Sequence, residues 1–342
     1  MLQAMMTAEV GDDMLGEDPT AKRLEHLVAE MFGHEAAVYA CSGTQSNQMG
    51  VRVHCQPGDE LLINETGHIA NFEGGAPAAL SGVTVRTITA PDGFLDLDVL
   101  EGKIRVNDQH YARTQLVCLE NTTNIGGGHI YPLEHLQRVS EWAASNGLKR
   151  HLDGARLFNA IVAGGYSAAE VGKCFDTISI CFSKGLGCPM GSILIGSRDD
   201  IAHARRARKL FGGALRQTGI VAASAIYALE NHVDRLTEDH ANAQQLALGL
   251  ASIDGIRIEP ERVKTNLVFF EIEPGCGLAI QLAGALKEQG VLTGPMGGQR
   301  LRAVTHMDVT ASDISSAVNS VRQCMEVGFA DRPIVGSGPY SR

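Results

Sequence analysis

A single lysine leaving a buried strand constrains this chain more than any other feature. Residues 176–192 read Asp-Thr-Ile-Ser-Ile-Cys-Phe-Ser-Lys-Gly-Leu-Gly-Cys-Pro-Met-Gly-Ser. Asp176–Phe182 is short, β-branched and apolar, and Gly and Pro bound it, which is the pattern of a buried strand. Lys184 follows at its end, partly desolvated, and loss of water favours the neutral, nucleophilic amine. Gly185, Gly187 and Gly191 let the backbone turn sharply and admit a bulky group beside that amine. Such a lysine meets the needs of Schiff-base chemistry with an aldehyde. Alone, Ser183-Lys184-Gly185 fits a solvated surface turn better.

A second segment reverses that preference. His151-Leu152-Asp153-Gly154-Ala155-Arg156 ends another short strand-like run. If the two strands are parallel neighbours, Asp153 and Lys184 project from one carboxyl-end edge, where ligands sit in open α/β sheets. A carboxylate there holds a pyridinium N–H while the lysine takes the aldehyde carbon, the pairing expected for pyridoxal phosphate (PLP).

The rest of the chain is compatible with a soluble α/β enzyme. Of 342 residues, 44% are hydrophobic and 20% charged, enough for a large core. The net charge of −10, with no basic stripe, argues against nucleic-acid binding. No apolar run reaches membrane-spanning length and no basic leader precedes an apolar stretch, so neither a membrane span nor a signal peptide is expected. The eight cysteines contain no Cys-x-x-Cys pair and read as reduced thiols of a cytoplasmic protein. The twelve histidines show no ligand spacing, so no catalytic metal is expected.

In chain order, the pattern predicts a helix from Thr20, as its cap, to Phe32, and a strand at Ala37–Ala40. Ser42-Gly43-Thr44 then opens an apolar helix, whose N-terminus suits a phosphate. A strand follows at Glu60–Ile63, with His68 in a Gly-rich loop beyond it, where an imidazole can stack on a cofactor ring or act as a base. Strands are predicted at Val83–Thr89, Gln115–Leu119 and Gly191–Gly196, and helices at Leu95–Val106, Leu133–Asn146, Ile201–Phe211 and Gly219–Leu229. Lys209 and Arg216 belong to a basic run that is usually a solvated face. The alternative is that they meet a phosphate across a subunit interface. The expected domains are 1–235, large and cofactor-binding with a mainly parallel sheet, and 236–330, smaller and α+β, with strands at 256–258, 267–272 and 300–305, Val291–Leu292, and helices at 277–289 and 311–327. A loose tail follows over 331–342.

Seven collinear motifs together resemble the L-threonine aldolases, low-specificity type, of the aromatic amino acid β-eliminating lyase/threonine aldolase group. They are Gly11-Asp12-Asp13 with Gly16-Glu17-Asp18-Pro19-Thr20; Ser42-Gly43-Thr44 with Asn47-Gln48; His68-Ile69 with Phe72-Glu73-Gly74-Gly75; Glu120-Asn121-Thr122; His151 to Arg156; Ser183 to Gly187; and Arg302, Val304-Thr305-His306 and Asp308. The resemblance spans nearly the whole chain. It implies a fold-type I, aspartate aminotransferase-like α/β fold and retro-aldol cleavage of β-hydroxy-α-amino acids. In that resemblance Lys184 carries PLP, Asp153 partners the pyridinium nitrogen and His68 stacks on the ring. Gly43, Thr44 and Ser183 cradle the phosphate, with Lys209 and Arg216 lent by a neighbour in a dimer of dimers. Arg156 and Arg302 grip the substrate carboxylate, the role a planar guanidinium suits.

Two departures are expected to matter. The family opens with an Arg-Ser-Asp-Thr-like run whose serine helps contact the substrate carboxylate, and the sequence here starts after it. Thr123 stands where many members place a histidine near the substrate hydroxyl. The base, for which His68 is the candidate, and the preference between threonine and allo-threonine stay open. So do two alternatives: a different β-hydroxy amino acid aldolase or β-eliminating lyase, and a PLP-binding protein with little catalysis.

Overall fold

The computed structural model describes residues 1–331, so residues 332–342 of the expected tail lie outside the described residues. Contacts divide the chain into two compact units. One comprises Met1–Gly126 and Ile130–Asp234, the other Gly127–His129 and the chain from Arg235 onward.

The first unit is built on a seven-stranded sheet. Its strands are β1 (Ala36–Ala40), β2 (Asp59–Asn64), β3 (Thr84–Ile88), β4 (Arg113–Glu120), β5 (Lys149–Gly154), β6 (Thr177–Cys181) and β7 (Ser192–Gly196), in the order β1-β7-β6-β5-β4-β2-β3. Every pairing from β3 through β6 is parallel, and β7 alone runs against its two neighbours. Every residue of β2, β6 and β7 is buried. This is the mark of strands covered on both faces, and it fits the apolar centres Leu61–Ile63 of β2 and Ile193–Ile195 of β7. Helix Gly43–His54 covers one face: Val51 joins Leu61, Ile63 and Leu116, while Met49 packs with Val38, Leu194 and Ala204. β5 and β6 are parallel neighbours with Asp153 opposite Ser179. Asp153 and the segment carrying Lys184 therefore leave the same carboxyl edge.

Some boundaries moved for identifiable reasons. Helix Pro19–Phe32 is capped by Asp18, not Thr20. Pro19 has no N–H to satisfy and is suited to the first helical position, which places the cap one residue before it. Thr20 Oγ1 instead donates to the Glu9 carbonyl at 2.6 Å. The helix predicted over Leu95–Val106 exists only at Leu97–Leu100. Beyond it the chain is pulled toward buried Glu60: Arg105 Nε donates to its Oε2 at 2.8 Å, and the Lys103 carbonyl accepts from Arg86 at 2.7 Å. Helices Leu157–Gly164 and Ala168–Gly172, the latter closed by a Ser167–Glu170 capping box, occupy a stretch where none was predicted.

The second unit holds an antiparallel sheet of β8 (Ile256–Arg257), β9 (Leu267–Ile272), β10 (Gly294–Pro295) and β11 (Arg300–Val304), in the order β10-β11-β9-β8. Helices Leu236–Ala251, Ala279–Glu288 and Ala311–Val327 enclose a core that includes Leu250, Phe270, Leu282, Leu286 and Leu301. The extended pair expected at Val291–Leu292 lies instead at Gly294–Pro295, where it pairs with β11.

Candidate active site

Ser42, Gly43, Thr44, Asn47, His68, Asp153, Ala155, Cys181, Ser183 and Lys184 line one pocket at the carboxyl edge of the first sheet. Lys184 enters it from a tight reversal between β6 and β7. The Gly187 N–H donates to the Lys184 carbonyl at 2.9 Å, and the Phe182 N–H to that of Gly191 at 3.0 Å. Gly191 has φ +112, and a Cβ there would meet the Tyr39 hydroxyl at 2.4 Å, so this corner admits only glycine. Lys184 makes no ion pair among the described residues.

Asp153 is 3% exposed. Its carboxylate accepts from the Ala155 N–H at 3.1 Å and from Asn47 Nδ2 at 2.9 Å. The same Asn47 nitrogen donates to Glu73 at 2.8 Å, and Gln48 donates to Glu73 as well. Glu73 in turn accepts from His68 Nδ1 at 3.0 Å, which leaves Nε2 as the lone-pair nitrogen of the neutral ring. Burial works against charge on His68. The hydrogen bond to Glu73 and the charges of Asp153, Glu73 and Glu120 outweigh it, and the imidazole titrates above its ordinary value. His68, Glu73 and Asp153 offer ligand atoms within 4.8 Å of one another, a grouping that sequence spacing does not display. Hydrogen bonds already engage all three.

Glu120, at the end of β4, ties two loops to this site. It accepts from the His68 N–H and from the Asn124 N–H, each at 2.9 Å. Burial, and then the nearby Asp153 charge, raise its carboxyl to about 7. Gly43 opens helix Gly43–His54 after the Ser42 cap, and a Cβ on it would lie 2.5 Å from Cys181 Sγ. The helix start can therefore sit against the end of β6. The first N–H groups of any helix have no intrahelical partner, so those of Gly43 and Thr44 are available to an anion.

Among the predicted site residues, the pocket gathers Lys184, Asp153, His68, Gly43, Thr44 and Ser183. Arg156 begins the next helix, and its charge reaches the Cys181 thiol at the pocket wall. Thr123 is not among the lining residues. It is buried in the loop after β4, against Gly93. Lys209 and Arg216 are exposed and engaged elsewhere in their own chain, Lys209 with Met14 at 3.7 Å and Arg216 with Asp12. Arg302 belongs to the second unit, half-buried on β11 opposite Phe269. Asn47, Glu73, Glu120 and His151 were given no role from sequence. Apart from the local Glu73–His68 and Glu120–Asn124 bonds, the partners cited for Asn47, Glu73 and Glu120 are 25 to 106 residues distant, and the only available signal was a polar residue beside a buried strand or helix start.

The residues present fit pyridoxal phosphate: a lysine without an ion-pair partner, a buried carboxylate and a glycine-started helix converge on one pocket. The fold is that of the fold-type I PLP-dependent enzymes. The family described as Beta-eliminating lyase matches residues 1–273. Low-specificity L-threonine aldolase 1 of Arabidopsis thaliana is 40% identical over 330 residues, covering 95% of this chain and 92% of that protein. The low specificity L-threonine aldolase of Escherichia coli K12 is 42% identical over 316 residues, 92% of each chain. A solved threonine aldolase from Leishmania major shares the fold with a TM-score of 0.81 at 22% identity, covering 95% of this chain and 94% of that one. The chain belongs to the β-eliminating lyase family.

Proposed function

We propose that this protein is an aldehyde-lyase that cleaves L-threonine, L-allo-threonine and related β-hydroxy-α-amino acids to glycine and an aldehyde, with PLP as cofactor. The observation that carries this reading is the placement of Lys184 and Asp153 in one pocket, on segments leaving adjacent parallel strands. When bound, PLP supplies an electron sink that stabilises negative charge at the substrate Cα. Lys184 is the amine that attaches it, and Asp153 keeps a proton on its ring nitrogen. Gly43, Thr44 and Ser183 hold its phosphate through backbone N–H groups and a hydroxyl. Arg156 takes the substrate carboxylate, fixing which bond at Cα faces cleavage, an orientation effect of several kcal/mol in well-ordered sites. Arg302 is given the same carboxylate on its motif alone. His68 Nε2 is the candidate acceptor for the β-hydroxyl proton, with Glu73 holding the ring in that tautomer. Thr123 is assigned to the neighbourhood of the substrate hydroxyl.

Two wider assignments belong to this reading. The enzyme is a homo-oligomer, a dimer of dimers, in which Lys209 and Arg216 serve a neighbour's phosphate. Their exposure, beside Leu15 and Leu210, each 70% exposed, supports this. Its compartment is the cytoplasm, supported by eight cysteines that are all free. No helix among the described residues is long and apolar enough to cross a membrane.

The test is aldehyde release from L-threonine, L-allo-threonine and their D-enantiomers with PLP added. Acetaldehyde from the L-isomers only, abolished in Lys184→Ala, is the expected result. Ammonia with a keto acid would assign a β-eliminating lyase instead. PLP binding without turnover of any isomer would defeat the aldolase assignment.

A further inference from the structure

Asp153 and Glu73 are buried close together, and an ionised carboxylate can only accept hydrogen bonds. Both draw on one donor, the amide nitrogen of Asn47. With its nitrogen committed, Asn47 turns Oδ1 to His151 Nε2, 3.2 Å away, and an acceptor there requires the proton to sit on Nε2. Burial lowers His151 to about 3, so the ring is neutral and its Nδ1 must accept. Thr177 Oγ1 lies 2.9 Å from that Nδ1 and so donates to it. The same hydroxyl oxygen then accepts from His54 Nε2, also at 2.9 Å.

Each hydrogen bond from His54 to Asp153 thus points the same way, a direction dictated by what the carboxylates demand. The backbone supports the arrangement. His151 and Thr177 are directly paired across β5 and β6, while Asn47 and His54 lie on the helix above them. Gly50 makes room for the imidazole, since a Cβ there would come 2.4 Å from His151 Cε1.

We infer that His151 and Thr177 are positioning residues of the active site: through this one-way chain they lock the Asn47 amide with both hydrogens toward Asp153 and Glu73, holding Asp153 ready to accept a ligand N–H. The inference rests on the PLP reading for the identity of that ligand. If Nδ1 lost its donor, the neutral ring could carry the proton on Nδ1. Asn47 Oδ1 would then face a lone pair, and the amide would be free to turn its oxygen toward two carboxylates. A buried polar chain fails as a unit when one member is left unmatched.

The experiment compares Thr177→Val, which keeps the shape and removes the hydroxyl, with Thr177→Ser, which restores it. PLP dissociation constants and the visible absorption of the bound cofactor are measured, with thermal midpoints as a folding control. In Thr177→Val the dissociation constant rises about tenfold, the scale on which groups behind a ligand shell act, and the spectrum changes; Thr177→Ser recovers both. Wild-type affinity and spectrum in a folded Thr177→Val protein would overturn the inference. Should Thr177→Val not fold, imidazole 15N shifts of the wild-type holoenzyme decide: a neutral, Nε2-protonated His151 supports the chain, and an Nδ1-protonated or charged ring sinks it. A wild-type protein that takes up no PLP would defeat the functional reading, and the same 15N measurement on that protein would still decide the chain.

Discussion

At the scale of single residues, the site is a cluster of charges whose pH behaviour has a definite sign. His68 titrates above its ordinary value because its bond to Glu73 and the surrounding carboxylates outweigh burial. A raised imidazole contributes stability that is fully present below its unfolded pKa, about 6.5, and is lost as pH rises through the folded value. Chemical denaturation of wild type and His68→Gln should show a larger stability gap near about pH 6 than near about pH 9. A gap that grows with pH would contradict this. Glu120 follows the same rule at a lower window, since burial and Asp153 raise it from 4.5 to about 7. Between those values rising pH should cost the wild type stability relative to Glu120→Gln, and equal slopes for the two proteins would refute the raised carboxyl. Lys184 and Asp153 were legible as a pair because each ends a recognisable strand. Asn47, Glu73 and His151 were not, because nothing local in Ser46-Asn47-Gln48 says that its amide meets residues 26 and 106 positions on.

At the scale of elements, agreement followed burial. β6 and β7 are buried throughout and mostly β-branched or apolar, with Thr177, Ser179 and Ser192 the polar exceptions, so composition marked them. Sequence failed where a distant charge or a turn set the geometry. The stretch after Leu100 lost its helical expectation to Glu60, and the apolar run 157–163 has a composition that strand and helix share. Asp18 shows how one side chain joins elements: it caps helix Pro19–Phe32 through the Ala21 N–H at 2.9 Å and also accepts from the Gly219 N–H at 2.8 Å, at the start of another helix. Asp18→Ala removes a cap worth about 1 kcal/mol and leaves a buried N–H unmatched at about 1–3 kcal/mol. Urea denaturation should therefore show a loss of about 2–4 kcal/mol. A change below about 0.5 kcal/mol, the range of ordinary surface substitutions, would show that this junction does not hold the helices.

At the scale of the whole molecule, the exposed apolar side chains Met6, Leu15 and Leu210 require an explanation. An assembly of several copies supplies one. Light scattering should give a mass well above the 36.4 kDa of one chain, and Leu210→Asp with Leu15→Asp should lower it. A monomeric wild type would remove Lys209 and Arg216 from the site. The tight reversal around Lys184 has a further consequence, for adaptation. β7 runs back beside β6, so the corner that carries the lysine is closed by its own hydrogen bonds, including Cys188 N–H to the Phe182 carbonyl at 3.1 Å. Insertions there would be expected to break the geometry before they could change it. Directed evolution toward new aldehydes should therefore leave residues 182–191 untouched and accumulate changes elsewhere around the pocket. The chemistry would then persist as an inherited constant while specificity drifts around it.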